Sequence, residues 1–236
     1  MAVEDLTFRV ERGAICSLLG PNGAGKSTTV KMLTGQLEPT MGEAFVLGVN
    51  VRERPVEVRR RTGVLPEGLG LFDSLTVEEH LRMTGEVYGL SRGAARERIA
   101  ALLRTLALEQ GMRTWARHCS QGMRKKTALA MALLPNPDVL FLDEPFEALD
   151  PPSVRAVERL LRQYASRAGT VLLTSHVLAA VQRVATQFVA LRQGRCVWTS
   201  AQGESPPPIE DLFEAANGQQ PEEVLKWLGP SPSSAG

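Results

Sequence analysis

Residues 20–28 read GPNGAGKST, directly after the apolar run ICSLL and at the start of a helical pattern. That is the setting a phosphate-binding loop requires. Gly20, Gly23 and Gly25 let backbone N–H groups turn inward around phosphates, with Pro21, Asn22 and Ala24 filling the loop between them. Lys26 can reach an outer phosphate, the Ser27 hydroxyl can ligate Mg²⁺, and Thr28 completes the motif.

A second group lies in DVLFLDEP. Asp143, ending an apolar strand, can hold Mg²⁺ through water, while Glu144 faces an attacking water as a general base, a role worth ~10²–10⁴ in rate. Carboxylates side by side on a core strand are costly unless a cation is near. His176 ends the run TVLLTS; a lone histidine there is more often capped or solvated than catalytic, and both readings stand at this level.

The stretch CSQGMRKKTALA sets a different problem. Ser120 has the character of an N-cap, and the residues from Met123 on have the spacing of a helix. Yet Arg124, Lys125 and Lys126 follow at once, at the end where the macrodipole is already positive. Either an anion from outside meets them or they lie on a solvated face.

These residues need a scaffold. AICSLLG, DVLFLDEP, TVLLTSH and QFVALRQG are continuous rather than alternating apolar runs, which fits strands buried on both faces of a mainly parallel sheet. KSTTVKMLTG and VRAVERLLRQYASRAG supply crossover helices, giving an α/β fold with ligands at the carboxyl ends of the strands. EAFVLGVNV and TGVLP read as short strands of an antiparallel part. Thr76 and Glu79 form a capping box that opens a helical lobe over about 73–135. IEDLFEAA and PEEVLKWL read as two short helices after the linker SPPP, ahead of a loose tail.

At 236 residues, 43% hydrophobic, the chain can bury a real core. A net charge of +1 gives no global attraction to nucleic acid, and none is expected as a partner. Cys16, Cys119 and Cys196 have no metal-ligand spacing and suit a reducing compartment. No apolar run approaches the ~20 residues that span a bilayer.

The order of phosphate loop, helical lobe, CSQGM helix, DVLFLDEP, EALD and TSH resembles the nucleotide-binding subunit of ABC transporters, from Ala2 to about Ser200, and most of all exporter-type subunits. CSQGM stands where that family has LSGGQ: Ser120 and Gly122 match, whereas Cys119, Gln121 and Met123 depart. The resemblance implies a P-loop NTPase (RecA-like) fold binding ATP and Mg²⁺. Residues 1–72 and 136–200 would be the nucleotide-binding core, 73–135 the helical subdomain and 201–236 a C-terminal appendage.

It further implies that Ser120 and Gly122 receive the γ-phosphate of ATP held by a second subunit. Asp150 of EALD would cross the dimer interface, and His176 would contact the γ-phosphate and orient the attack. Glu67 of VLPEG stands where most of the family has a glutamine that senses Mg²⁺; a carboxylate there would add negative charge near Asp143 and Glu144 and tighten the dependence on Mg²⁺. The chain starts almost inside the segment that, in the family, follows an adenine-stacking aromatic residue. Phe8 lies in the expected strand DLTFRV, so weak ATP binding with poor discrimination against GTP is expected.

The function implied is an ATP-hydrolysing subunit that pairs with a second ATP-binding subunit and drives a membrane-spanning permease, in export. Its place would be cytoplasmic, on the inner face of the membrane. Leu69, Leu71, Phe72 and Leu75 form a cluster that would either receive the permease or pack under the helical lobe. The alternatives are a non-hydrolysing regulatory subunit using ATP as dimer glue, and a soluble ABC protein.

Overall fold

The computed structural model describes residues 2–200, 208, 211 and 212. The apolar runs become β1 (Ile15–Leu19), β4 (Thr62–Leu65), β5 (Val139–Asp143), β6 (Thr170–Thr174) and β7 (Gln187–Arg192), which pair in parallel; β8 (Arg195–Thr199) adds antiparallel to β7. The sheet order is β4-β5-β6-β1-β7-β8 among the described residues. Alternate residues of each run enter different cores, as the period of a strand demands. Ile15, Leu19, Leu140, Leu142, Val171 and Leu173 face one way, toward the helical side. Cys16, Leu18, Val139, Phe141 and Leu172 face the other. Continuous hydrophobicity is therefore the signature of two buried faces here.

On the second face lie α1 (Lys26–Leu33) and a two-residue antiparallel pair, β2 (Phe45–Val46) with β3 (Val49–Asn50). EAFVLGVNV thus forms the small antiparallel part, but TGVLP does not join it. It becomes β4, at the parallel edge beside β5. DLTFRV differs too: residues 6–10 are irregular, although Leu6, Phe8 and Val10 pack on the second core. Three short elements carried too little periodicity to be expected: α2 (Pro55–Arg60), α7 (Leu178–Val184) and β8.

Between β4 and β5 the chain builds α3 (Val77–Val87), α4 (Arg92–Thr105), a 3-10 turn at Ala116–His118 and α5 (Gln121–Leu133). The capping box is complete: Glu79 N–H donates to Thr76 Oγ1 (3.2 Å) and Thr76 N–H to Glu79 Oε2 (2.7 Å). Leu81 of α3 and Ile99 and Leu103 of α4 share one core with Leu129 of α5 and the sheet. The remaining helix, α6 (Pro151–Ser166), connects β5 to β6. Of the two helices expected over 209–216 and 221–228, only residues 211 and 212 fall within the described part, and those are helical.

Since α5 lies on both α3 and β4, the height of its axis above the sheet matters. Gly63 of β4 sets it: a Cβ there would lie 2.1 Å from the Ala132 carbonyl oxygen of α5 and 3.0 Å from Leu140 Cδ2. Gly63→Ala must lift α5, and overpacking of this kind costs about 1–3 kcal/mol. Thermal unfolding should show a clearly lowered midpoint; an unchanged midpoint would show that α5 tolerates displacement.

Candidate active site

β1 delivers the glycine loop to the carboxyl edge of the sheet. Gly20 has φ 148, and a Cβ on it would meet the Leu191 carbonyl oxygen at 2.3 Å, so the strand can turn there only without a side chain. At the far end Gly25, φ 102, is the N-cap of α1, with a would-be Cβ 2.6 Å from the Ala2 carbonyl oxygen. The N-terminus of α1 thereby opens directly from the loop, and Ser27 and Thr28 sit in its first turn. Lys26 folds back over the loop, its Nζ donating to the carbonyls of Gly20 (2.6 Å) and Pro21 (3.0 Å). Burial pushes this ammonium below the ordinary lysine value, while Glu144 and Asp143 pull it back up. The loop cation and the two carboxylates share one electrostatic neighbourhood, as a buried carboxylate requires.

The register of β5 on β6 sets Asp143 opposite Thr174. The Thr174 hydroxyl donates to Asp143 Oδ1 (2.5 Å) and accepts from the Glu144 N–H (3.1 Å). Asp143 is 7% exposed, so one oxygen is satisfied by the protein and the carboxylate as a whole is nearly out of water. Glu144 adopts φ 48, in the left-handed region, where a side chain other than glycine is strained. Its conformation is held by its N–H on the Thr174 carbonyl (3.2 Å) and by the Glu147 N–H on its own carbonyl (3.3 Å). The His176 N–H donates to Glu144 Oε2 (3.0 Å), and His176 Nε2 lies 3.4 Å from Oε1. Lys26, Asp143, Glu144 and His176 thus converge.

Ser120, Gly122 and Asp150 form a separate group. Ser120 is the exposed N-cap of α5, its Oγ accepting from the Met123 N–H at 3.2 Å. A Cβ on Gly122 would stand 3.0 Å from the Ala148 carbonyl oxygen, which seats the helix start on the loop after Glu144. Asp150 is the N-cap residue of α6, its carboxyl held below the usual range first by the Ser153 hydroxyl, with Lys126 adding to the effect. Glu67 lies exposed in the turn after β4, and among the described residues no hydrogen bond or ion pair joins it to Asp143 or Glu144.

Two features escaped the sequence reading. Thr174 precedes the expected histidine by two residues, but only strand register reveals it as the partner of Asp143. At the basic start of α5, Arg124 bonds Asp73 and the Ala116 carbonyl, and Lys125 is buried.

No set of three or more His, Cys, Asp or Glu clusters as a metal site among the described residues. Mg²⁺ that arrives with a nucleotide needs only one or two protein ligands beside phosphate oxygens and water, and Ser27 with buried Asp143 fits that demand. A glycine loop at the end of β1 and paired acids at the end of β5 define a P-loop nucleotide-binding protein.

Residues 3–147 match the ABC transporter family, and the chain belongs to it as an ATP-binding subunit. It is 33% identical to the ABC transporter ATP-binding protein NatA of Bacillus subtilis (strain 168), over 92% of this chain and 86% of that protein. It is 36% identical to the Nod factor export ATP-binding protein I of Burkholderia pseudomallei (strain 1710b), over 98% of this chain and 73% of that one. A solved ATP-binding subunit of an ABC transporter superposes with a TM-score of 0.82 at 34% identity, over 90% of this chain and 91% of that one.

Lys26→Ala removes the side-chain cation of the loop and leaves phosphate charge to backbone dipoles. Calorimetric titration should then show no measurable ATP binding; an unchanged affinity would contradict the assignment of the loop.

Proposed function

We propose that this chain hydrolyses ATP within a dimer that closes on two nucleotides and drives a separate membrane-spanning permease, in export. The observation that carries the reading is the placement of Glu144. Its carboxylate is aimed by the His176 main chain, beside a buried aspartate and the loop lysine. A water between Glu144 and the terminal phosphorus would lose its proton to a Glu144 oxygen while attacking, as the bond from that phosphorus to the β–γ bridging oxygen breaks and the oxygen leaves with ADP, and His176 would orient that attack. Lys26 would offset charge on the transferred phosphoryl group. Ser27 and Asp143 would hold Mg²⁺, which supplies further neutralisation of phosphate charge when bound.

The Ser120 hydroxyl, the exposed N-terminus of α5 and Gly122 would serve the γ-phosphate of the other subunit's nucleotide. Asp150 would cross between the subunits. Export is supported by the Nod factor export relative. No helix among the described residues is long and apolar enough to cross a membrane, so the membrane path would belong to the permease. Glu144 opposes the regulatory alternative, since a subunit using ATP only as glue has no need of a strained, histidine-braced carboxylate.

Glu144→Gln keeps the shape and removes the base. It should retain ATP, lose steady-state phosphate release and accumulate as a dimer on size exclusion; hydrolysis at the unmodified rate would contradict the reading.

The permease contact is supported by surface chemistry. Leu69 and Leu71 pack against the core, whereas Phe72 is 57% exposed, with Val87 and Tyr88 exposed at the end of α3. Phe72 is presented rather than loose: its N–H donates to Nε2 of buried His80 (2.9 Å), and the two rings stack. Phe72→Ala should spare basal hydrolysis and abolish its stimulation by the permease. A fall in the melting temperature with stimulation intact would assign Phe72 to packing instead.

A further inference from the structure

Three cations open α5, where the macrodipole already supplies positive charge, yet none needs an outside anion for compensation. Arg124 Nη1 donates to Asp73 Oδ1 (2.9 Å) and to the Ala116 carbonyl (2.8 Å). Lys125, 5% exposed, brings its ammonium to 3.5 Å from Glu147 Oε2, and Lys126 lies close enough to act on Asp150. Glu147, the partner of Lys125, belongs to one short segment, the loop that runs from Glu144 to α6. The same seam is tight, because a Cβ on Gly122 would stand 3.0 Å from the Ala148 carbonyl oxygen.

That loop needs a tether. It is a turn closed by the Glu147 N–H on the Glu144 carbonyl, with left-handed backbone at Glu144 (φ 48) and at Ala148 (φ 60). Strained conformations of this sort persist only where their surroundings over-determine them. Buried Phe146 anchors the middle of the turn, and Lys125 takes hold of its far end.

We propose that Lys125 and Glu147 are positioning residues for hydrolysis: their ion pair holds the turn that aims Glu144 against the helix start that carries Ser120. The inference rests on Glu144 as the base and on Ser120 as the receptor for the other subunit's nucleotide. Within one chain the pair then links the two nucleotide sites of the dimer.

The test is steady-state phosphate release by the full chain, with ATP binding and thermal unfolding measured alongside. Glu147→Gln and Lys125→Met should each lower kcat ~10-fold or more, as misplacement of a catalytic group does, with KM for ATP unchanged and the chain still folded at the assay temperature. The double variant should fall no further than the worse single, and the exchange Lys125→Glu with Glu147→Lys should recover most of kcat. An unmodified kcat in Glu147→Gln, additive losses in the double variant, or loss confined to KM would overturn the pair while leaving Glu144 as the base. An unmodified chain that binds ATP without releasing phosphate would overturn both. Should Lys125→Met fail to fold, exposed Glu147→Gln decides alone.

Discussion

The hydroxyl of Thr174 on the carboxylate of Asp143 is the contact on which the site depends. It exists because β5 and β6 run parallel in a register that ends both strands at the same height. An aspartate this deeply buried is tolerable only with a hydrogen bond on one side and a cation nearby, here Lys26. The same hydroxyl accepts from the Glu144 N–H, so one side chain fixes the buried acid and the start of the strained turn together. Slipping that register by one residue would exchange the faces of Leu142 and Asp143 and dissolve both the core and the site.

Two helix N-termini are treated in opposite ways. α1 opens from a glycine loop whose lysine folds over it, so positive potential is left facing the place of a phosphate. α5 carries more cations, but Asp73, Glu147 and Asp150 answer them from within the chain. What α5 keeps exposed at its start is Ser120 and Gln121. In the proposed dimer that is the proper division: one helix binds its own nucleotide, and the other senses a neighbour's without being saturated by local acid.

Much of this was legible in the sequence because its signals are local. Continuous apolar runs gave strands with two buried faces, GPNGAGKST gave the turn from β1 to α1, and Thr76 with Glu79 gave the start of α3. What could not be read depended on pairing between distant segments. TGVLP looks like any short strand until β5 is beside it, and Thr174 gains its role only from register. For Lys125 an outside anion and a solvated face both stood open, because its acid lies more than twenty residues on, past β5. DLTFRV has strand composition but pairs with no strand among the described residues, and its apolar residues still pack.

The central claim is that each nucleotide is served by the phosphate loop of one chain and the α5 start of another. Mixing Ser120→Arg chains with Lys26→Ala chains tests it directly. In a mixed dimer one site pairs the intact loop with the intact Ser120, and the other collects both lesions. Phosphate release from the mixture should exceed that of either variant alone. A mixture no more active than its components, although mixed dimers form, would contradict the account.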